Sequence, residues 1–312
     1  MRSTVTTQPT PASDPPNGQG DPGSAAQPPP GDPPTCAEAG VDSMSALLVA
    51  SLRRGGSRFF EARCQWPRWH ALNERRLAVT HHPVIMAEST RQLAAAVRLR
   101  HLPEAAVPLR PLAVCLGLDP RTQPVERDGA TDVAVRVTVS DLQLRGGSLA
   151  GYRLTAEFLH ARTRFGTCTM DVGRPPRPGP APGDPLPAGL LPPPPAAVGA
   201  AVEADVLLAR APQGRLVIVP RDPGHPVLLP GRPDVLPLLA VLEAGRQAAL
   251  LYRGVTAAAV VGLAVRLHGP VPSRGAVVDV AAERGAAQFV VASGGQCAAT
   301  GTVTLLTTGA RG

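Results

Sequence analysis

Residues 132–139 read Asp-Val-Ala-Val-Arg-Val-Thr-Val, apolar at every second position. That period places one face of a strand in a core and the other in solvent. Strand-like runs follow at 149–161 and 165–172, with Gly146-Gly147 as a turn. Ahead of them, 46–50 and 59–66 read as short strands, and 84–100 carries apolar residues at helical spacing. The same order returns later in the chain. Short strands are predicted at 205–209 and 215–219, a helix over 235–252, then strand-like runs at 259–267, 275–282, 287–292 and 298–306. Two short strands, one long helix and a run of antiparallel strands, stated twice, make a repeated α+β chain.

Proline sets the boundaries. Residues 1–40 are rich in Pro, Gly, Asp, Gln and Ser, and cannot bury enough apolar surface to offset the entropy of ordering. They are expected to be a disordered tail. Residues 174–196 carry a second proline-dense stretch, read as a stiff linker. The two breaks leave one domain over 41–173 and another over 197–308.

Composition alters this picture little. The 312 residues are 44% hydrophobic but only 3% aromatic, so the cores must be aliphatic. All 31 basic residues are arginine and the net charge is +7. Nowhere do four basic residues run together, so the charge points away from nucleic acid and toward an acidic partner or a phosphorylated substrate. Cys36, Cys64, Cys115, Cys168 and Cys297 fall in no zinc or CxxC spacing and read as reduced, small buried hydrophobes. His70, His81 and His82 have no carboxylate at a ligand spacing, so no metal is expected. His81 and His225 read as loop residues, and Trp66 and Trp69 as packing residues. Without an N-terminal apolar stretch, or any run long enough to span a bilayer, the chain reads as soluble and cytoplasmic, with no membrane partner.

The chemistry gathers on the two helices. Glu88, Arg91 and Gln92 stand at i, i+3 and i+4 on the first, and Glu243, Arg246 and Gln247 repeat the pattern on the second. Such residues share one helix face. Within otherwise apolar helices, a carboxylate and a guanidinium are costly unless paired or used. One reading is an intrahelical ion pair, with glutamine bonding the backbone. The other, favoured by the recurrence, is a functional site.

These residues, with their surroundings, resemble the A-factor (γ-butyrolactone) biosynthesis hotdog family of actinomycetes. The likeness is carried by Trp66-Pro67-Arg68-Trp69-His70, by His81-His82-Pro83 running on to Glu88-Ser89-Thr90-Arg91-Gln92, by His225-Pro226, and by Asp234, Pro237 and Glu243-Ala244-Gly245-Arg246-Gln247-Ala248. It spans roughly residues 41–306. It implies a double hotdog: two tandem domains, each an antiparallel sheet wrapped around a central helix. It also implies an acyltransferase moving a β-ketoacyl group from an acyl carrier protein thioester to dihydroxyacetone phosphate, with no cofactor. Hotdog dehydratases and thioesterases share a similar helix motif, and a non-catalytic acyl-binding regulator is a third reading; a homo-oligomer is allowed by all three. Catalytic roles fall to Glu88, Arg91, Glu243 and Arg246: a glutamate as base, an arginine holding substrate oxygens, helix N-terminal amides on the oxyanion. Substrate binding falls to Gln92, Gln247, His82 and Asp234. His82 replaces the family's Asp before Pro83. The second repeat has lost two histidines and a glycine, so expectation falls first on Glu88 and Arg91.

Overall fold

The computed structural model describes residues 31–75, 77–175, 185–254 and 260–306. The first half contains helix α1 (Cys36–Ala39), strands β1 (Val49–Arg54), β2 (Phe59–Trp66), β3 (Glu74–Arg75) and β4 (Val79–Thr80), helix α2 (Val84–His101), and strands β5 (Arg110–Leu118), β6 (Val125–Glu126), β7 (Thr131–Arg145), β8 (Ser148–His160) and β9 (Thr163–Gly173). The second contains β10 (Leu208–Arg210), β11 (Leu216–Ile218), helix α3 (Leu238–Arg253), β12 (Val260–Leu267), β13 (Val277–Glu283), β14 (Ala286–Ser293) and β15 (Gln296–Leu305).

Twelve strands form one antiparallel sheet in the order β1-β2-β7-β8-β9-β5-β12-β15-β14-β13-β11-β10. Strands β3, β4 and β6 form a small side sheet. The left six strands wrap α2 and the right six wrap α3. This is the α+β double hotdog. Its halves join edge to edge where β5 pairs with β12, from Ala113↔Arg266 to Gly117↔Gly262.

The alternation read at 132–139 is realised residue by residue: Val133, Val135, Val137 and Val139 are buried, while Asp132, Ala134 and Arg136 are exposed. The helices are more enclosed than an amphipathic pattern implies. Every residue of α3 from Leu238 to Leu250 is buried, as befits a helix with sheet around it. No helix among the described residues is long and apolar enough to cross a membrane.

Three expectations change. Strand β5, the joint of the molecule, was not predicted, because Arg110-Pro-Leu-Ala-Val-Cys-Leu-Gly-Leu has no clean period of two and contains proline. Residues 31–40 are not structureless: α1 has a capping box between Thr35 and Glu38, Arg100 grips the Glu38 carboxylate through Nε (2.8 Å) and Nη2 (2.7 Å), and Asp32 bridges Leu52. In the second half Leu191 bridges Arg210, and a 3-10 turn covers Pro195–Val198. Each half therefore begins before the expected 41 and 197. Nor are all the cysteines buried: Cys64 and Cys168 are, Cys115 and Cys297 are exposed.

Candidate active site at the seam of the two halves

The doubled Glu-x-x-Arg-Gln signature forms the same clasp twice. On α2, Arg91 donates from Nε and Nη2 to Glu88 at 2.8 and 2.7 Å. Gln92 donates to Glu88 and to the Ala46 carbonyl, and accepts from the Leu48 amide, all at 2.8 Å. On α3, Arg246 grips Glu243 by both nitrogens at 2.7 Å, while Gln247 donates to Glu243 and the Asp205 carbonyl and accepts from the Leu207 amide. Arg246 also donates to the carbonyls of Val198 and Gly199. Gly40 and Gly199, both left-handed, close the turns beneath Arg91 and Arg246, and a Cβ at Gly199 would press on Arg246 Nη1 at 2.9 Å. Each clasp ties a buried helix to the chain entering its own sheet.

Both protons of the Gln92 and Gln247 amides are spent on the protein, which leaves each amide oxygen one open lone pair. Arg91 and Arg246 each commit Nε and Nη2 to their own carboxylates. Asp234 is exposed on the loop before α3, with its backbone carbonyl accepting from Ser273, and stands apart from the clasps. The amides that open α2 are also occupied: Val84 bonds His82 Nδ1, Ile85 the His82 carbonyl and Met86 the Pro83 carbonyl.

The two halves do meet in one polar cluster. His82, at the start of α2, places Nε2 3.5 Å from Glu243 Oε2 on α3, with both side chains nearly sealed from water. The approach to one helix thus serves the carboxylate of the other. Among the described residues Glu88 has no such partner, since Leu236-Pro237 precedes α3 where His82-Pro83 precedes α2. Of the two expected bases, Glu243 is the one that meets a histidine of the other half. Burial and Arg246 push the His82 pKa down to about 3, so its imidazole is neutral. Burial raises the pKa of Glu243, but Arg246, His82 and the hydrogen bonds outweigh it and hold the carboxyl ionised below its ordinary value. Glu243 Oε1 accepts two hydrogen bonds and Oε2 accepts one, so a lone pair of Oε2 remains, on the atom that faces His82.

Three further residues belong to this cluster. His225 Nε2 lies 3.0 Å from Asp205 Oδ1, and its Nδ1 accepts from the amides of Val227 and Leu228. His70 lies within electrostatic reach of His225, His81 and Asp205, and of His82. His70 and His225 stand at the same spacing ahead of Glu88 and Glu243, a sequence signal that marks them as equivalent. Both His81 and His225 lie in loops, as expected, but both are buried. His81 is buried against Trp66 and bonds Thr131 Oγ1 at 2.6 Å. Trp66 is packed, its Nε1 donating to Ser89, whereas Trp69 is 72% exposed. Among the described residues no three His, Cys, Asp or Glu converge as metal ligands.

The described cavities lie elsewhere. Two concavities, of about 430 and 710 Å³, open on the sheet around Arg153, Asp171 and Arg266, whose mutual ion pairs span the joint between the halves.

No protein-family model matches the chain, and no curated protein matches it. Solved structures do. The dehydratase domain from the terminal module of the rifamycin polyketide synthase overlays with a TM-score of 0.48 at 15% identity, over 83% of this chain and 95% of that one. A Novosphingobium aromaticivorans protein provisionally named a thioesterase gives 0.47 at 14%, over 82% and 97%. An acyl-ACP thioesterase from Bacteroides thetaiotaomicron gives 0.45 at 8%, over 80% and 98%. These are likenesses of architecture.

Proposed function

We propose that the chain cleaves an acyl thioester at the seam, transferring the acyl group to water, with Glu243 as general base and His82 beside it. The observation that carries this is the 3.5 Å approach of His82 Nε2 to the part-open Glu243 Oε2 across the two halves. A water seated there accepts a hydrogen bond from His82 Nε2–H. It gives a proton to Oε2 as its oxygen bonds to the thioester carbonyl carbon. The tetrahedral intermediate then expels the thiol, which takes the proton back, leaving a carboxylic acid and a free thiol.

Ionisation separates this reading from dehydration. Dehydration needs an acid for the leaving hydroxyl and a base able to remove a carbon-bound proton. Glu243 is held ionised by Arg246 and is a weak base, which suits attack on an activated ester. The finer reading, transfer to dihydroxyacetone phosphate from an acyl carrier protein, rests on the family resemblance. The net charge of +7 favours an acidic carrier. The phosphate of that acceptor is poorly provided for, because Arg246 is committed to Glu243.

Incubating the protein with acyl-CoA and acyl-carrier thioesters, with and without dihydroxyacetone phosphate, distinguishes the outcomes by mass spectrometry. Free acid and thiol support hydrolysis; a phosphorylated ester supports transfer; an enoyl product from a 3-hydroxyacyl thioester supports dehydration. Glu243→Gln and His82→Asn should each lower kcat by about a hundredfold or more, while Glu88→Gln changes stability and not turnover. Full activity in both seam variants sinks the assignment.

A further inference from the structure

We propose that His70 also touches the substrate: its Nε2–H donates to the thioester carbonyl oxygen and to the oxyanion formed from it. This rests on the reading that a thioester binds at the seam, and it supplies the donor that the occupied amides of α2 do not.

The three buried histidines of the seam share one device. His70 Nδ1 accepts from the Leu72 amide and His82 Nδ1 from the Val84 amide, each at 3.3 Å, and His225 Nδ1 accepts from Val227 and Leu228 at 3.2 and 3.0 Å. A neutral imidazole that accepts at Nδ1 carries its proton on Nε2. Burial, with His225 and His81 nearby, lowers the His70 pKa to about 4 against the opposing pull of Asp205, so it too is neutral. All three therefore present an Nε2–H donor.

They spend it differently. His225 gives it to Asp205, and His82 aims it at Glu243. His70 Nε2 has no acceptor among the described residues, although His70 is only 8% exposed. No side-chain nitrogen or oxygen sealed from solvent among them lacks a partner, so the His70 donor reaches accessible space. Enclosed apart from that atom, His70 offers a single donor to whatever occupies the space it opens on.

The repeat explains why this donor is free. The carbonyls of Ala46 and Asp205 occupy matching places, each accepting from its clasp glutamine, Gln92 at 2.8 Å and Gln247 at 2.7 Å. In the second half the residue there is an aspartate, and its carboxylate binds the equivalent histidine. In the first half it is alanine, and His70 is left unspent. Two formally equivalent histidines thus differ: His225 spends its Nε2–H on Asp205, and His70 has no such acceptor among the described residues.

The test uses the full chain, octanoyl-CoA, and a ketone isostere in which CH2 replaces the thioester sulfur. His70→Phe removes the donor, His70→Gln keeps one, and Ala46→Asp offers His70 the acceptor that His225 has. Thermal melts check folding. Kcat should fall about a hundredfold in His70→Phe and in Ala46→Asp, with KM changed little and partial recovery in His70→Gln. The bound ketone's carbonyl stretch should lie below its free value in wild type and return to it in His70→Phe. Turnover of folded His70→Phe within about twofold of wild type overturns the assignment. Should wild type hydrolyse no thioester, the hydrolase reading fails, and the ketone frequency still decides for His70. Loss of the shift in His70→Phe supports the contact, an unchanged shift overturns it, and absence of ketone binding overturns both.

Discussion

At the scale of single residues, two clasps of one design sit in unequal surroundings. The Arg246 and Glu243 side chains are 5% and 1% exposed, those of Arg91 and Glu88 25% and 10%. Removing one partner from a dry pair leaves an uncompensated charge. Arg246→Met should therefore lower the unfolding free energy by about 3–5 kcal/mol, and Arg91→Met by less, since water reaches that pair. Urea unfolding of the two variants measures the difference; equal losses would mean that burial is not what decides. The histidines set a pH dependence. Burial lowers His70 and His81 to about 4 from 6.5, and His82 to about 3. In the unfolded chain these groups take up protons as pH falls through about 6.5, while in the folded chain they do not until much lower pH, so acid favours unfolding. Stability should be full above about pH 6.5 and decline steadily toward pH 4. Urea midpoints across that range would show the slope, and a flat profile would contradict it. The Glu-x-x-Arg-Gln pattern was legible in the sequence, and so was the alternative of an intrahelical pair with a backbone-bonded glutamine. Both copies make that pair, and Glu243 lies in addition beside His82. Sequence spacing could not choose, because a helix face alone does not tell which loop packs on it.

At the scale of elements, α3 owes its position to Gly245. The far end of the Phe289 ring on β14 lies against it, and a Cβ there would run into the ring. Alanine is the better helix former by about 1 kcal/mol, yet Gly245→Ala should destabilise by about 1–3 kcal/mol because the ring has nowhere to go. Thermal unfolding checks the sign, and Phe289→Leu should restore much of the loss in the double variant. The strands of the long hairpins announced themselves by period two, since each has one face in water. Strand β5 did not. It pairs on both edges, with β9 and β12, and its inner face meets both helices. Its residues are chosen for close packing at a joint more than for alternation.

At the scale of the whole molecule, the halves share β5–β12 pairing and a contact between α2 and α3. They should melt as one unit. Both tryptophans, Trp66 and Trp69, lie in the first half, so their fluorescence reports on it alone. Gly245→Ala, in the second half, should lower the fluorescence midpoint as much as the circular dichroism midpoint; a fluorescence midpoint that stays put would show that the halves unfold separately. By itself the sequence determined the repeat, the strand and helix order, the polar triplet on each helix and the α+β class, because periodicity and local spacing are properties of neighbours along the chain. The tertiary structure alone decided which glutamate meets a histidine and which histidine keeps a free donor. His82 and Glu243 lie on different halves, and of the matched residues Ala46 and Asp205 only Asp205 carries a carboxylate, which binds His225. Such pairings are set by how two sheets close on two helices, which no local pattern encodes.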